Sequence, residues 1–152
     1  MNGIRRRDAC IVFPASTGSA PTTQASPLPE PDRSRTLSES EVLSSDQMPA
    51  TLSVNGGKRW NVLQGVLATG EAIAVHKSQQ PVGIPPNPPH TVRHSELILV
   101  QEGTLLFEGD GRSEKIGPGG VIFVAIGARH AARNVGNVPA KYLVIAIGGD
   151  AR

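Results

Sequence analysis

Residues 89–103 read PHTVRHSELILVQEG. Two histidines and a glutamate, His90, His94 and Glu96, fall within seven positions, directly ahead of a dense apolar run. On an extended backbone, alternation puts His90, Val92, His94 and Glu96 on one face. A straight strand would nevertheless hold His90 and Glu96 roughly 20 Å apart, whereas metal–donor bonds are only about 2 Å long. A site shared by the two therefore requires a bend, placed at residues 93–95. A His94 inside that bend is expected to face the mouth of the site or the solvent.

Working outward, the chain around this stretch alternates short strand-forming segments with turn signals. RWNVLQGVLA, EAIAVHK, ELILV, TLLFEG, GGVIFVAIG and AKYLVIAIGG are separated by NGG, ATGE, PVGIPPNPPH, GDGR and IGPGG. Many short strands joined by Gly, Pro and Asn turns argue for a sandwich or closed barrel. No segment after residue 50 carries a helical period with a cap, so the expected fold class is all-β. Ahead of it, residues 16–50 are rich in Ser, Thr, Pro and Gln and nearly devoid of bulky apolar side chains. Such a segment cannot bury enough surface to offset its ordering entropy, and reads as a tail. Within it, residues 37–43 could form one helical turn or an added edge strand. The division expected is a tail over residues 1–50 and a β-barrel domain over residues 51–152.

The chain has 152 residues, 17 of them glycine and 13 proline, with aromatic residues at 3%. The formal charge is +2, and residues 51–152 hold ten Lys and Arg against seven Asp and Glu without a cluster. Nucleic-acid grooves need concentrated basic residues and stacking aromatics, so that class of partner is excluded. The only cysteine is Cys10, which rules out an intramolecular disulfide. No apolar stretch approaches the roughly 20 residues of a membrane-spanning helix. At the start, Arg5, Arg6 and Arg7 precede a short apolar segment interrupted by Pro14. That order resembles a degenerate twin-arginine leader directing export to the periplasm; the alternative is a disordered basic N-terminus on a cytoplasmic protein.

All four histidines lie in the β domain. His76 shares a strand face with Ala72 and Ala74, small residues that leave room for a ligand or a neighbouring strand. It reads either as a satisfied structural histidine or as a pocket residue. Arg129 would point away from its neighbour His130 and lie on the surface. Tyr142 could contact a substrate or simply pack.

The stretch from His90 to Gly103 resembles the first motif of the cupin family, in which two histidines flank one residue and a glutamate and a glycine follow. His90, Glu96 and Gly103 take the first histidine, glutamate and glycine positions, and Val92 stands where the second histidine would be. GGVIFVAIGARHAARN resembles the second motif through Gly119, Gly127, His130 and Asn134, with Ala125 where proline is usual. The resemblance spans residues 60–148. It implies a double-stranded β-helix, or jelly-roll barrel, with a ligand site in its mouth, and commonly a divalent metal ion on three histidines and one glutamate. Carried over residue by residue, the ligands are His90, Glu96 and His130, with His94 able to swing in as a fourth.

Two imidazoles and a carboxylate suit Fe, Mn or Ni with positions left for water or substrate, and Zn can be held by the same set. The expected function is that of a cupin-domain protein binding a divalent metal and a small molecule in the barrel mouth, with an oxygenase- or isomerase-type metalloenzyme as one form of it. The alternative is a non-catalytic module holding a small metabolite without metal, and a third reading is a structural dimer without ligand. Apolar residues on both faces of LILV and VIFVAI leave one face to be covered from outside, and the family resemblance implies a homodimer.

Overall fold

The computed structural model describes residues 35–44, 47–53 and 55–151. The arginine-rich start and the expected leader lie outside the described residues. Eleven strands account for the regular structure, and no helix among the described residues is long and apolar enough to cross a membrane. In chain order they are β1 (Thr36–Leu37), β2 (Ala50–Leu52), β3 (Lys58–Leu67), β4 (Ala72–Gln80), β5 (His90–Thr91) and β6 (Ser95–Glu102). There follow β7 (Leu105–Gly109), β8 (Arg112–Ile116), β9 (Val121–Val124), β10 (Arg129–Asn134) and β11 (Ala140–Ile147).

These strands form two sheets. The larger runs β1-β3-β4-β11-β6-β9, with β2 also paired to β3, and the smaller runs β5-β10-β7-β8. Every pairing is antiparallel except that of β1 with β3. This is the all-β jelly roll implied by the resemblance. The segment weighed as a helical turn or edge strand supplies β1: Thr36 and Leu37 pair with Val66 and Leu67, so part of the sequence read as tail is attached to the larger sheet.

Strict alternation explains how the sheets face each other. On β6, Glu96, Ile98 and Val100 are buried while Leu97 and Leu99 between them are half-buried. Ala140, Tyr142, Val144 and Ala146 on β11 and Ile122 and Val124 on β9 do the same, and Leu105 closes the core from the smaller sheet. Each strand thus offers one apolar row to the interior, which is what period-two patterning allows. The opposite rows do not become polar. Leu97, Leu99, Leu143 and Ile145 are half-buried, and Val121 and Phe123 at the β9 edge are 55% and 64% exposed, so the outer face of the larger sheet is also apolar.

The inward row is not apolar throughout. Toward β6, β7 and β9 it is a packed hydrocarbon core; toward β3, β4, β5 and β10 it becomes polar and encloses a cavity. Gln80, buried at the end of β4, ties the two sheets together across this side. Its amide nitrogen donates to the Ala132 carbonyl at 3.2 Å and to the Tyr142 hydroxyl at 2.9 Å, while its oxygen accepts from the Asn134 backbone N–H at 2.8 Å. Asn134, a motif residue, donates to the Gln80 and Val138 carbonyls and accepts from the Gly136 N–H, so its part is architectural.

Gly103 ends β6 in the left-handed region, with φ of 74°. A β-carbon there would stand 2.8 Å from the Ala140 Cα and 2.9 Å from the Pro139 carbonyl oxygen, both backbone atoms. Conformation and space together demand glycine. Gly103→Ala is expected to cost at least about 1–3 kcal/mol, measured as a lowered urea midpoint. Gly117→Ala, where a β-carbon meets nothing within 4 Å, serves as the neutral control.

Candidate binding pocket

The chain passes from the smaller to the larger sheet between β5 and β6, and the expected bend lies in that crossing. His90 is paired with His130 across β5 and β10, and their rings face each other with centroids 4.7 Å apart. Glu96, on the first inward position of β6, reaches back to His130, with its Oε2 3.3 Å from Nε2. His90, Glu96 and His130 therefore line one cavity, of about 220 Å³, as the sequence reading required. Val92, between the sheets, packs against the hydrocarbon core. An imidazole at this position would replace core contact rather than extend a vacant site.

His94 corrects the sequence reading. It faces neither mouth nor solvent but is buried at 8% exposure, with Nε2 3.0 Å from Glu96 Oε1 and Nδ1 2.8 Å from Asp150 Oδ1. The cause is the C-terminal turn, which closes over the bend: Gly149 lies so near the Arg93 carbonyl that a β-carbon would overlap it, and the Asp150 N–H donates to that same oxygen at 3.3 Å. A carboxylate is thereby delivered to the outer side of the ring. Asp150–His94–Glu96–His130 thus alternates acid and base from the surface to the cavity.

The electrostatics follow from this alternation. Burial pushes the Glu96 carboxyl up, but hydrogen bonds from His130 and His94 and the proximity of both rings outweigh it, leaving a pKa of about 2. The hydrogen bond to Glu96 raises the His130 pKa, against the opposing effect of burial. Glu96 is thus held ionised at neutral pH with a partner at each oxygen.

Opposite stand β3 and β4. His76 does line the cavity, settling its two readings in favour of a pocket residue; its Nδ1 is fully buried and has no hydrogen-bond partner. Burial, reinforced by the Arg59 charge, lowers its pKa to about 4. Arg59 shares the inward face with its β4 neighbour Ser78, and its Nε donates to Asn61 Oδ1 at 3.1 Å. Burial lowers the Arg59 pKa, with Glu96 acting in the other direction. Tyr142 both packs in the core and borders the cavity, while Arg129 is exposed. Sequence reasoning missed Arg59, Gln80 and Asp150. Gln80 was within reach, because it lies on the face of His76; Arg59 and Asp150 carry no local signal.

The expected metal ligands can be tested against this geometry. Both Glu96 oxygens already face imidazole nitrogens, Val92 offers no donor, and among the described residues no three His, Cys, Asp or Glu side chains are grouped to hold an ion. As arranged, His90, Glu96 and His130 form a polar network on one wall of the cavity.

A family model described as "Cupin domain" matches residues 79–146. No curated protein sequence matches the chain. Among solved structures, an RmlC-like cupin from Shewanella frigidimarina superposes with a TM-score of 0.58 at 21% identity, over 73% of this chain and 94% of that one. A predicted oxalate decarboxylase from Thermotoga maritima gives 0.57 at 19% identity, over 71% and 99%. The polyketide cyclase RemF from Streptomyces resistomycificus gives 0.58 at 16% identity, over 75% and 87%. At these identities the likeness is one of fold.

The buried, neutral His76 sets a pH dependence. Its pKa falls from 6.5 in the unfolded chain to about 4 in the folded one, so the unfolded state binds the extra proton and stability declines as pH falls through that window. The decline is of order 3 kcal/mol at 1.36 kcal/mol per unit. Glu96, with its pKa of about 2, extends the decline below pH 4.5. His76→Gln is expected to flatten urea-unfolding stability between pH 6.5 and 4 while leaving the lower limb in place.

Proposed function

We propose that the chain, whose residues 79–146 match a cupin domain model, binds a small polar metabolite in the cavity between its sheets without a metal ion. The observation that carries this reading is the Glu96 carboxylate, engaged at both oxygens by His94 and His130. A carboxylate so engaged is a fixed element of a binding wall, and a metal ion would have to compete with both contacts. The Tyr142 hydroxyl and the polar side chains of β3 and β4 that line the cavity, with Ile98 and Val144 beside them, supply the convergent groups that orient a ligand.

A second reading has one observation in its favour: His90 and His130 face each other beside Glu96, three donors on one cavity. A centre holding Fe, Mn, Ni or Zn there would require the contacts of Glu96 with the two imidazoles to open. Elemental analysis of tag-free protein purified without chelators separates the two. The proposal expects substoichiometric metal before and after incubation with each ion. Near-stoichiometric metal that is lost in His130→Ala would replace it with the metal centre.

We also propose that the outer face of the larger sheet pairs two copies of the chain. Val121, Phe123, Leu97, Leu99, Leu143 and Ile145 lie on adjacent strands of that face, and Phe123 is mostly exposed. Contiguous exposed apolar area of this kind marks an interface. Light scattering is expected to give twice the chain mass, reduced to one in Phe123→Lys; a monomeric parent would refute the pairing.

A further inference from the structure

We infer that the proline-rich loop 81–89 is a gate over the mouth of the cavity and that Asn55 is its latch. The inference rests on the small-molecule reading above and states how a ligand passes in and out.

The first argument is where the cavity meets water. Of its lining residues, Lys58, Asn87 and His90 are the exposed ones. Asn87 lies in the loop that joins β4 to β5, and His90 directly follows that loop. Across from them, Ser53, Asn55 and Gly57 line the cavity from the turn between β2 and β3. Loop and turn are therefore the two sides of the entrance.

The second argument is what holds those sides together. Among the described residues, the hydrogen bonds joining loop to turn come from one group. Asn55 Nδ2 donates to the Pro85 carbonyl at 3.1 Å and to Asn87 Oδ1 at 2.9 Å. Asn55 Oδ1 accepts from the Gly57 N–H at 3.2 Å, which fixes the amide on the turn side. Both donors of one carboxamide are thus committed to the loop. Exposed bonds of this kind contribute little net stability, so the clamp opens far more readily than the sheets separate.

The third argument is the build of the loop. Five of its nine residues are prolines, which offer no N–H and hold φ at about −65°. Ile84, Pro85, Asn87 and Pro88 each precede a proline and are biased to the extended region. Residues 84–89 therefore form a stiff segment that moves as one piece. Gly83 sits at its near end with φ of 73°, and a β-carbon there would meet nothing within 4 Å, so the backbone has room to turn. At the far end the loop leads into β5, which pairs with β10 through two residues only. A stiff segment with a glycine at one end, a short pairing at the other and one side-chain amide tying it down is a hinged flap.

The test is the rate at which diethylpyrocarbonate modifies His130 in the full chain, followed by peptide mass spectrometry at fixed pH and low urea. His130 is 3% exposed and lines the cavity, so the reagent reaches it through the mouth. Asn55→Ala, which removes both donors, is expected to raise the His130 rate on the order of tenfold. Asn87→Ala, which leaves the Pro85 contact, is expected to raise it less. In the parent, His130 is expected to react more slowly than the exposed His90, at a rate that small additions of urea leave unchanged, the mark of a local opening. Unfolding midpoints of both variants verify that they fold. An Asn55→Ala rate equal to that of the parent would overturn the latch. His130 reacting as fast as His90 in the parent would show a mouth that stands open and overturn the gate. A rate rising steeply with urea would show access by global unfolding and overturn it as well. Each of these failures leaves the small-molecule reading standing, because no ligand enters the test; near-stoichiometric metal sinks that reading and leaves the gate in place.

Discussion

The carboxylate of Glu96 is where the two sheets and the C-terminal turn meet. It is an inward residue of a strand that otherwise supplies Ile98 and Val100 to a hydrocarbon core, and an ionised group there is unaffordable without partners. The smaller sheet contributes His130, the inter-sheet crossing contributes His94, and the C-terminal turn contributes Asp150 to hold His94 in place. Three separate parts of the chain are positioned by satisfying one buried charge. The cavity is the space left on the side of the barrel where this network replaces hydrocarbon.

That arrangement explains why Val92 is tolerated. Here its side chain packs against the core, and the acid–base alternation is completed by His94 from two residues further along. With Val92 in the core and His94 on Glu96, the carboxylate has an imidazole at each oxygen.

The two faces of the larger sheet divide the labour. The inner face holds the core and the cavity, and its polar residues sit on β3 and β4, where Arg59, His76, Ser78 and Gln80 share the inward row. The outer face is apolar across β11, β6 and β9, and Ile73 and Val75 continue it on β4. Gln80 links the domains of influence: by bonding to β10 and to Tyr142 it fixes the spacing of the sheets beside the cavity and so sets its depth.

The sequence by itself determined the strands, because alternation and turn residues are local: the all-β class and the glycine after Glu102 could be read from residues a few positions apart, whereas the sharing of one site by His90, Glu96 and His130 came from the resemblance to the cupin motifs. The need for a bend between His90 and Glu96 followed from strand length alone. Only the tertiary structure decided the partners of those groups. Asp150 lies 56 positions from His94, and Arg59 lies on β3, so no local pattern could join either to the site. His94 was misread for the same reason. In a bare bend a histidine would turn to water, but a carboxylate arriving from the C-terminus and another on the adjoining strand draw it inward. Sequence fixes which atoms a segment can offer; which charges they meet depends on contacts that exist only once the sheets have closed.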